Sequence, residues 1–189
     1  MPYIQDSLEF LIETLLGLYL VAVILRFLFQ LFRIDFHNPI SQVIVKVTNP
    51  PLRILRRFIP GFYGVDFASI ALILIVSCAK IALTTLVKGY SIAPLAALVL
   101  GLAEAISIVC WTLLIAIFIR AIMSWIAPRS HHPALRILDG LSEPVLAPFR
   151  RLLPNMGGLD LSPILAILAL QLAQKLLVRP LLDLGVQLL

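Results

Sequence analysis

Four long apolar runs, separated by shorter polar stretches, set the pattern of this chain. They cover residues 8–32, 67–87, 102–126 and 161–178. A membrane-crossing helix needs about 20 predominantly apolar residues, so each run is read as a span. Residues 94–101 add helical turns to the outer end of the third run. Lys88-Gly89-Tyr90-Ser91 reads as a short turn before it. Arg179-Pro180 is expected to end the fourth span, because proline lacks the donor a helix needs. The apolar tail beyond it is then expected to lie at the outer interface.

The polar stretch after the first span carries a helical period of its own. Asn38-Pro39 reads as an N-cap with proline at the first helical position. Ile40, Val43, Ile44 and Val47 then share one helical face. Asn49-Pro50-Pro51 predicts a break. A second short helix over 52–59 sets Leu52, Leu55 and Ile59 opposite Arg53, Arg56 and Arg57, and Pro60-Gly61 closes it. Ala134, Ile137, Leu138 and Leu141 repeat the first face after the third span. Such helices are too short to span and are expected to lie in the inner interface, apolar face toward lipid. Asp66 is the expected N-cap of the second span.

The two halves match without a gap at an offset of 94 residues. Arg26 falls on Arg120, Pro39 on Pro133, Pro50 on Pro144 and Leu52 on Leu146. Arg56-Arg57 fall on Arg150-Arg151, Pro60 on Pro154, Gly64 on Gly158 and Asp66 on Asp160. Residues 1–90 and 91–189 are therefore two copies of one unit with two spans each, related in parallel. The predicted fold class is an all-α, four-span transmembrane protein with amphipathic interfacial helices inside each repeat. Arg33, Lys46, Arg53, Arg56, Arg57, Arg129, Arg136, Arg150 and Arg151 gather on the two repeat loops. The positive-inside rule then places those loops in the cytoplasm and both termini outside.

Composition agrees with the spans. The chain has 189 residues, of which 61% are apolar and 13% charged, too few charges to solvate a globule of this size. The net charge of +5 raises the question of nucleic acid. The charges flank apolar runs and carry no nucleic-acid motif, so anionic headgroups are the expected partner, with other membrane proteins as further candidates. Asp6, Glu9 and Glu13 stand where a secretory signal would carry basic residues. Cys78 and Cys110 lie inside apolar runs and read as small hydrophobes.

Candidate chemistry is sparse. Arg56, Arg57 and Pro60, with Arg150, Arg151 and Pro154, form the repeated motif and are candidate lipid or partner contacts; the competing reading is topology marking alone. Arg26, Asp66, Arg120 and Asp160 are expected to form Arg–Asp charge pairs, within a repeat or across the two, clamping the interfacial segments to the bundle; the competing reading is arginine snorkelling to phosphate with aspartate serving only as a cap. Lys80, Lys175, Glu13 and Glu104 are polar intramembrane residues, either a pathway, with Gln171 and Gln174, or snorkelling groups. His37, His131 and His132 precede prolines at helix starts and read as caps or surface residues rather than a metal site. Ala93, Ala97, Gly101 and Ala105 form a small-residue stripe that permits close helix approach. No residue is assigned to catalysis, to a cofactor or to a metal, and enzymatic activity is not expected.

The motif Pro144…Pro148-Phe149-Arg150-Arg151-Leu152-Leu153-Pro154…Gly157-Gly158-Leu159-Asp160-Leu161-Ser162-Pro163 resembles the signature of the YggT family of small integral membrane proteins. Pro50…Arg56-Arg57-Phe58-Ile59-Pro60…Asp66 resembles a degenerate copy, with Gly61 for Asn155 and Ser69 for Pro163. The resemblance covers nearly the whole chain. It implies a bacterial inner-membrane protein with a non-enzymatic role in assembling or organising membrane components. A link to osmotic or ion homeostasis, through a channel- or transport-related role, is the alternative it leaves open.

Overall fold

The computed structural model describes residues 2–62, 64–126, 132–152 and 160–188. The fold is all-α. Long apolar helices α1 (Pro2–Leu31), α3 (Phe67–Val87) and α4 (Pro94–Ile126) are each long enough to cross a membrane. The fourth such element is Ser162–Gln187. It comprises α6 (Ser162–Ala173), a π-helical turn (Gln174–Val178) and α7 (Arg179–Gln187). Between the spans of each repeat lies one amphipathic helix, α2 (Pro39–Leu55) in the first and α5 (Pro133–Leu152) in the second.

Helix α1 supplies the centre of the core. Its Leu20, Val23, Ile24, Leu28 and Phe29 are buried together with Leu72, Ile73 and Val76 of α3 and Ala105, Leu113 and Ala116 of α4. A smaller cluster of Ile117, Leu146 and Ala166 joins α4, α5 and α6. Between membrane helices the gain is close packing rather than expulsion of water. Gly101 shows how close: a Cβ there would meet Cys78 Sγ at 2.8 Å and the Cys78 backbone nitrogen at 3.1 Å. Ala97 and Ala105 are buried on the same stripe and Ala93 is exposed. Three of the four small residues thus serve packing inside this chain.

The end of α1 locks the two repeats together. Arg33 adopts φ 55° and Ile34 N–H donates back to Phe29 O at 2.8 Å, a left-handed helix stop. Ile34 is thereby delivered to α5, where a Cβ on Gly140 would lie 2.7 Å from its Cγ1. Asn38 caps α2 as expected, accepting from Ile40 N–H at 3.0 Å. Its amide also donates to Pro133 O at 2.7 Å, across the repeats. At the opposite end of the bundle, Lys88 pairs with Glu9 at 2.6 Å. The two repeat loops therefore share one face, and the N-terminus shares the other with the α3–α4 turn.

Four expectations need correction. The first span is not 8–32: its helix starts at Pro2 and stops at Leu31, because the polar residues ahead of position 8 suit a helix as well as a loop. The fourth does not end at Arg179-Pro180. Arg179 N–H donates to Gln174 O across a π turn, and this wider turn ahead of Pro180 accommodates the ring that would clash with a carbonyl in a regular helix. Asn49-Pro50-Pro51 does not break α2, which contains both prolines. The carbonyls left without donors belong to Lys46 and Val47, both exposed, while fully buried Leu52 anchors the next turn. The helix that was expected over 52–59 is accordingly the end of α2 and a turn.

The last correction concerns the amphipathic faces, which are expected toward lipid in both repeats. Ser41, Thr48 and Leu52 are fully buried, whereas Ile40, Val43 and Val47 are exposed. In α5 the equivalent apolar positions Ile137 and Leu141 are buried. The shared apolar face therefore looks mostly away from the bundle in the first repeat, as expected, with Ile44 half-buried against the core, and into the bundle in the second.

Candidate functional site

The repeated Arg-Arg pair splits into two roles. Arg56 Nη2 bonds Asp66 Oδ2 at 2.5 Å, and Asp66 also accepts from Ser69 Oγ at 2.7 Å. Arg150 Nε bonds Asp160 Oδ2 at 2.9 Å, and Asp160 accepts from Ser162 N–H at 2.9 Å. In each repeat the first arginine thus clamps the amphipathic helix to the start of the next span. A tight turn makes this possible in the first repeat. Phe62 and Val65 exchange backbone hydrogen bonds, with Gly64 at φ 80°, a value L side chains rarely adopt. The second arginines, Arg57 and Arg151, are exposed and have no carboxylate partner among the described residues. Pro60 is exposed; Pro154, Gly158 and Arg129 lie outside the described residues.

The expected pairs of Arg26 and Arg120 with Asp66 and Asp160, within a repeat or across the two, do not form. Each aspartate is taken by the arginine ten residues before it, which the loop folds back onto it. Arg120 instead bonds Asp139 at 2.6 Å and approaches Glu143 at 3.7 Å. Among the described residues Arg26 reaches only neutral acceptors on α2, Val45 O at 3.4 Å and Thr48 Oγ1 at 3.5 Å. Both aspartates titrate below the usual carboxylate range. Burial works to raise the Asp66 pKa, but hydrogen bonds from Arg56 and Ser69 outweigh it. For Asp160 burial is likewise outweighed, by Ser162 and Arg150.

Within the spans, Lys80 of α3 is ion-paired with Glu104 of α4. Glu13 lines the same cavity, of about 470 Å³. Lys175 sits in the π turn and, with Gln171 and Gln174, lines an adjoining cavity of about 290 Å³; Ser107 and Val178 border both. The Glu104 Oε2 and Gln174 Nε2 atoms are buried without a hydrogen-bond partner among the described residues. The four intramembrane residues named from sequence thus fall on two neighbouring cavities.

The histidines take local roles. His37 bonds Asp35, and the His132 ring accepts from Ala134 N–H at 3.2 Å, capping α5; His131 lies outside the described residues. Among the described residues no three His, Cys, Asp or Glu side chains converge to hold a metal ion. Sequence reasoning missed Asp139 and Glu143. Neither has a charged counterpart at the matching positions, Val45 and Asn49, so the duplication gave no signal for them.

Comparison with known proteins agrees with the two-repeat reading. The CCB3/YggT family description matches residues 5–87 and again residues 99–181. An uncharacterized protein of Pseudomonas aeruginosa is 42% identical over 171 residues, covering 89% of this chain and 87% of its own. The uncharacterized protein YggT of Escherichia coli K12 is 39% identical over 167 residues, 88% of this chain and 86% of its own. A Vibrio alginolyticus protein is 38% identical over 175 residues, 92% and 94% of the two chains. No solved structure matches. With both repeats matched and relatives aligned along most of their length, this chain belongs to the CCB3/YggT family.

Proposed function

We propose that the protein is a non-enzymatic factor of the bacterial inner membrane that organises or assists the assembly of other membrane components. One observation carries this reading. In both repeats the clamp leaves an exposed arginine beside a large exposed apolar side chain: Arg57 with Phe58, 79% exposed, and Arg151 with Leu152, 75% exposed. Exposed apolar groups beside cations suit anionic headgroups and partner helices at an interface. The repeat loops lie in the cytoplasm and both termini outside, on the strength of the basic loop charges.

Photo-crosslinkers at Phe58 and Leu152 in native membranes should capture the same partner proteins, and Arg57→Glu with Arg151→Glu should abolish the capture. Recovery of lipid and this chain alone would refute the assembly role. For orientation, a reporter active only in the cytoplasm should be silent after Leu189 and active when inserted at Gly140. Activity at the C-terminus would reverse the topology.

A second reading, passage of an ion or solute, draws support from Lys80, Glu13 and Glu104 on one cavity and Lys175 on the next. Intramembrane ionisable groups are expensive and are usually retained for a function.

A further inference from the structure

Arg26 is only 7% exposed, and its Nε carries no hydrogen bond among the described residues. A guanidinium has five N–H donors and no means of losing its charge. Two long bonds to neutral oxygens do not balance a buried cation. Yet the group does not face apolar packing alone. It lines a cavity of about 600 Å³ on the loop face of the first repeat, a volume within the usual range of small-molecule sites.

The charges around that cavity are unequal. Among the described residues Arg26, Lys46 and Arg56 line it against the single carboxylate of Asp66, which is already engaged by Arg56 and Ser69. Its walls add apolar surface from Phe36, Val45 and Ile59. The second repeat solves the same problem internally. Where the first has Val45 and Asn49, the second has Asp139 and Glu143. These carboxylates take Arg120, and Glu143 also holds Arg150 at 2.8 Å. The two repeats thus share the arginines but not the counter-charge.

We propose that the first repeat binds a phosphate-bearing anion in this cavity, held by Arg26 and Lys46 with Arg56 at its edge, in the place that Asp139 and Glu143 fill in the second repeat. Arginine forks match phosphate oxygens two at a time. Two sources share that chemistry: the phosphodiester of a phospholipid headgroup, for which the apolar walls are suited, and free inorganic phosphate. The inference does not depend on the assembly role.

The test uses the full chain purified in detergent and stripped of lipid. Phosphatidylglycerol binding is counted by native mass spectrometry, and inorganic phosphate is scored by its effect on melting against chloride at equal ionic strength. The wild type should take up one phosphatidylglycerol, or be stabilised by phosphate, and the responding probe identifies the source. Val45→Asp, which installs the carboxylate of the second repeat, should weaken that response on the order of tenfold or more, the size expected for losing a charge-assisted contact. Lys46→Gln, at an exposed position on the cavity wall, should weaken the same response, and it keeps the test decisive if Val45→Asp fails to fold. A wild type that responds to neither probe would overturn the proposal. So would a folded Val45→Asp or Lys46→Gln protein that binds like the wild type.

Discussion

Lys80→Leu should destabilise the bundle by about 3–5 kcal/mol, and adding Glu104→Leu should recover most of that loss. Lys80 and Glu104 face each other between α3 and α4, with side chains 17% and 19% exposed. Gly101 brings these helices together one turn away. The Glu104 Oε2 atom already lacks a partner among the described residues. Removing Lys80 would leave an uncompensated carboxylate among apolar neighbours, with Glu13, another potential anion, on the same cavity. The pair together costs far less than one orphaned member, and two leucines would pack where two desolvated ions had stood. Reversible unfolding in mixed micelles, run as a double-mutant cycle, checks this. Equal losses for the single and double variants would mean that the two charges are not coupled. The same proteins in liposomes bear on the passage reading. If these groups line a route, ion flux should change with Lys80→Leu; a wild type with no flux at high density would remove that reading.

The residues show what sequence could and could not tell. Span 67–87 coincides with α3 because Asp66 and Lys88 bound it sharply on both sides. The fourth span was cut short because Pro180 reads as a stop, and no periodicity announces a π turn at Gln174–Val178. In α2 the period correctly groups Ile40, Val43 and Val47 on one face. Which face meets the bundle is a tertiary choice, and there the small polar Ser41 and Thr48 pack inward. Membrane surroundings make this choice ambiguous, since lipid accepts an apolar face as readily as the protein does. The duplication identified Arg26, Arg56 and Asp66 as one constellation with their partners in the second copy. Equivalence says which residues correspond, not which touch. The counter-charges Asp139 and Glu143 break the symmetry and so stood outside the pattern. Asn38 was legible as a cap, but its second bond, to Pro133, depends on how the repeats dock.

The arginine clamps should differ in strength between the repeats. Asp66 is buried, its side chain 4% exposed, and it holds both Arg56 and Ser69 Oγ. Arg56 is 36% exposed, so on loss of Asp66 it can turn toward water and avoid the full penalty of a stranded ion. The coupling between Arg56→Gln and Asp66→Asn should therefore be about 1–3 kcal/mol, below that of a fully buried pair. Arg150 and Asp160 are 34% and 45% exposed, and Arg150 has Glu143 as a second partner. Their coupling should be about 0.2–1 kcal/mol, as for solvent-screened pairs. Arg26 with Asp66, and Arg120 with Asp160, should couple more weakly than the clamps, since neither pair is in contact. The pH dependence has a definite sign. Both aspartates have folded-state pKa values below the ordinary one, with burial opposing the shift and the hydrogen bonds producing it. Their contribution is fully present above the unfolded-state value of about 3.9 and is lost as pH falls through the lower folded-state value. Acid should thus weaken the wild type below about pH 4, and Asp66→Asn should flatten that dependence more than Asp160→Asn. Equal coupling in the two repeats would show that the burial of Asp66 contributes nothing to its clamp. A larger coupling for Arg26 with Asp66 than for Arg56 with Asp66 would return the pairing to the arginine of the span.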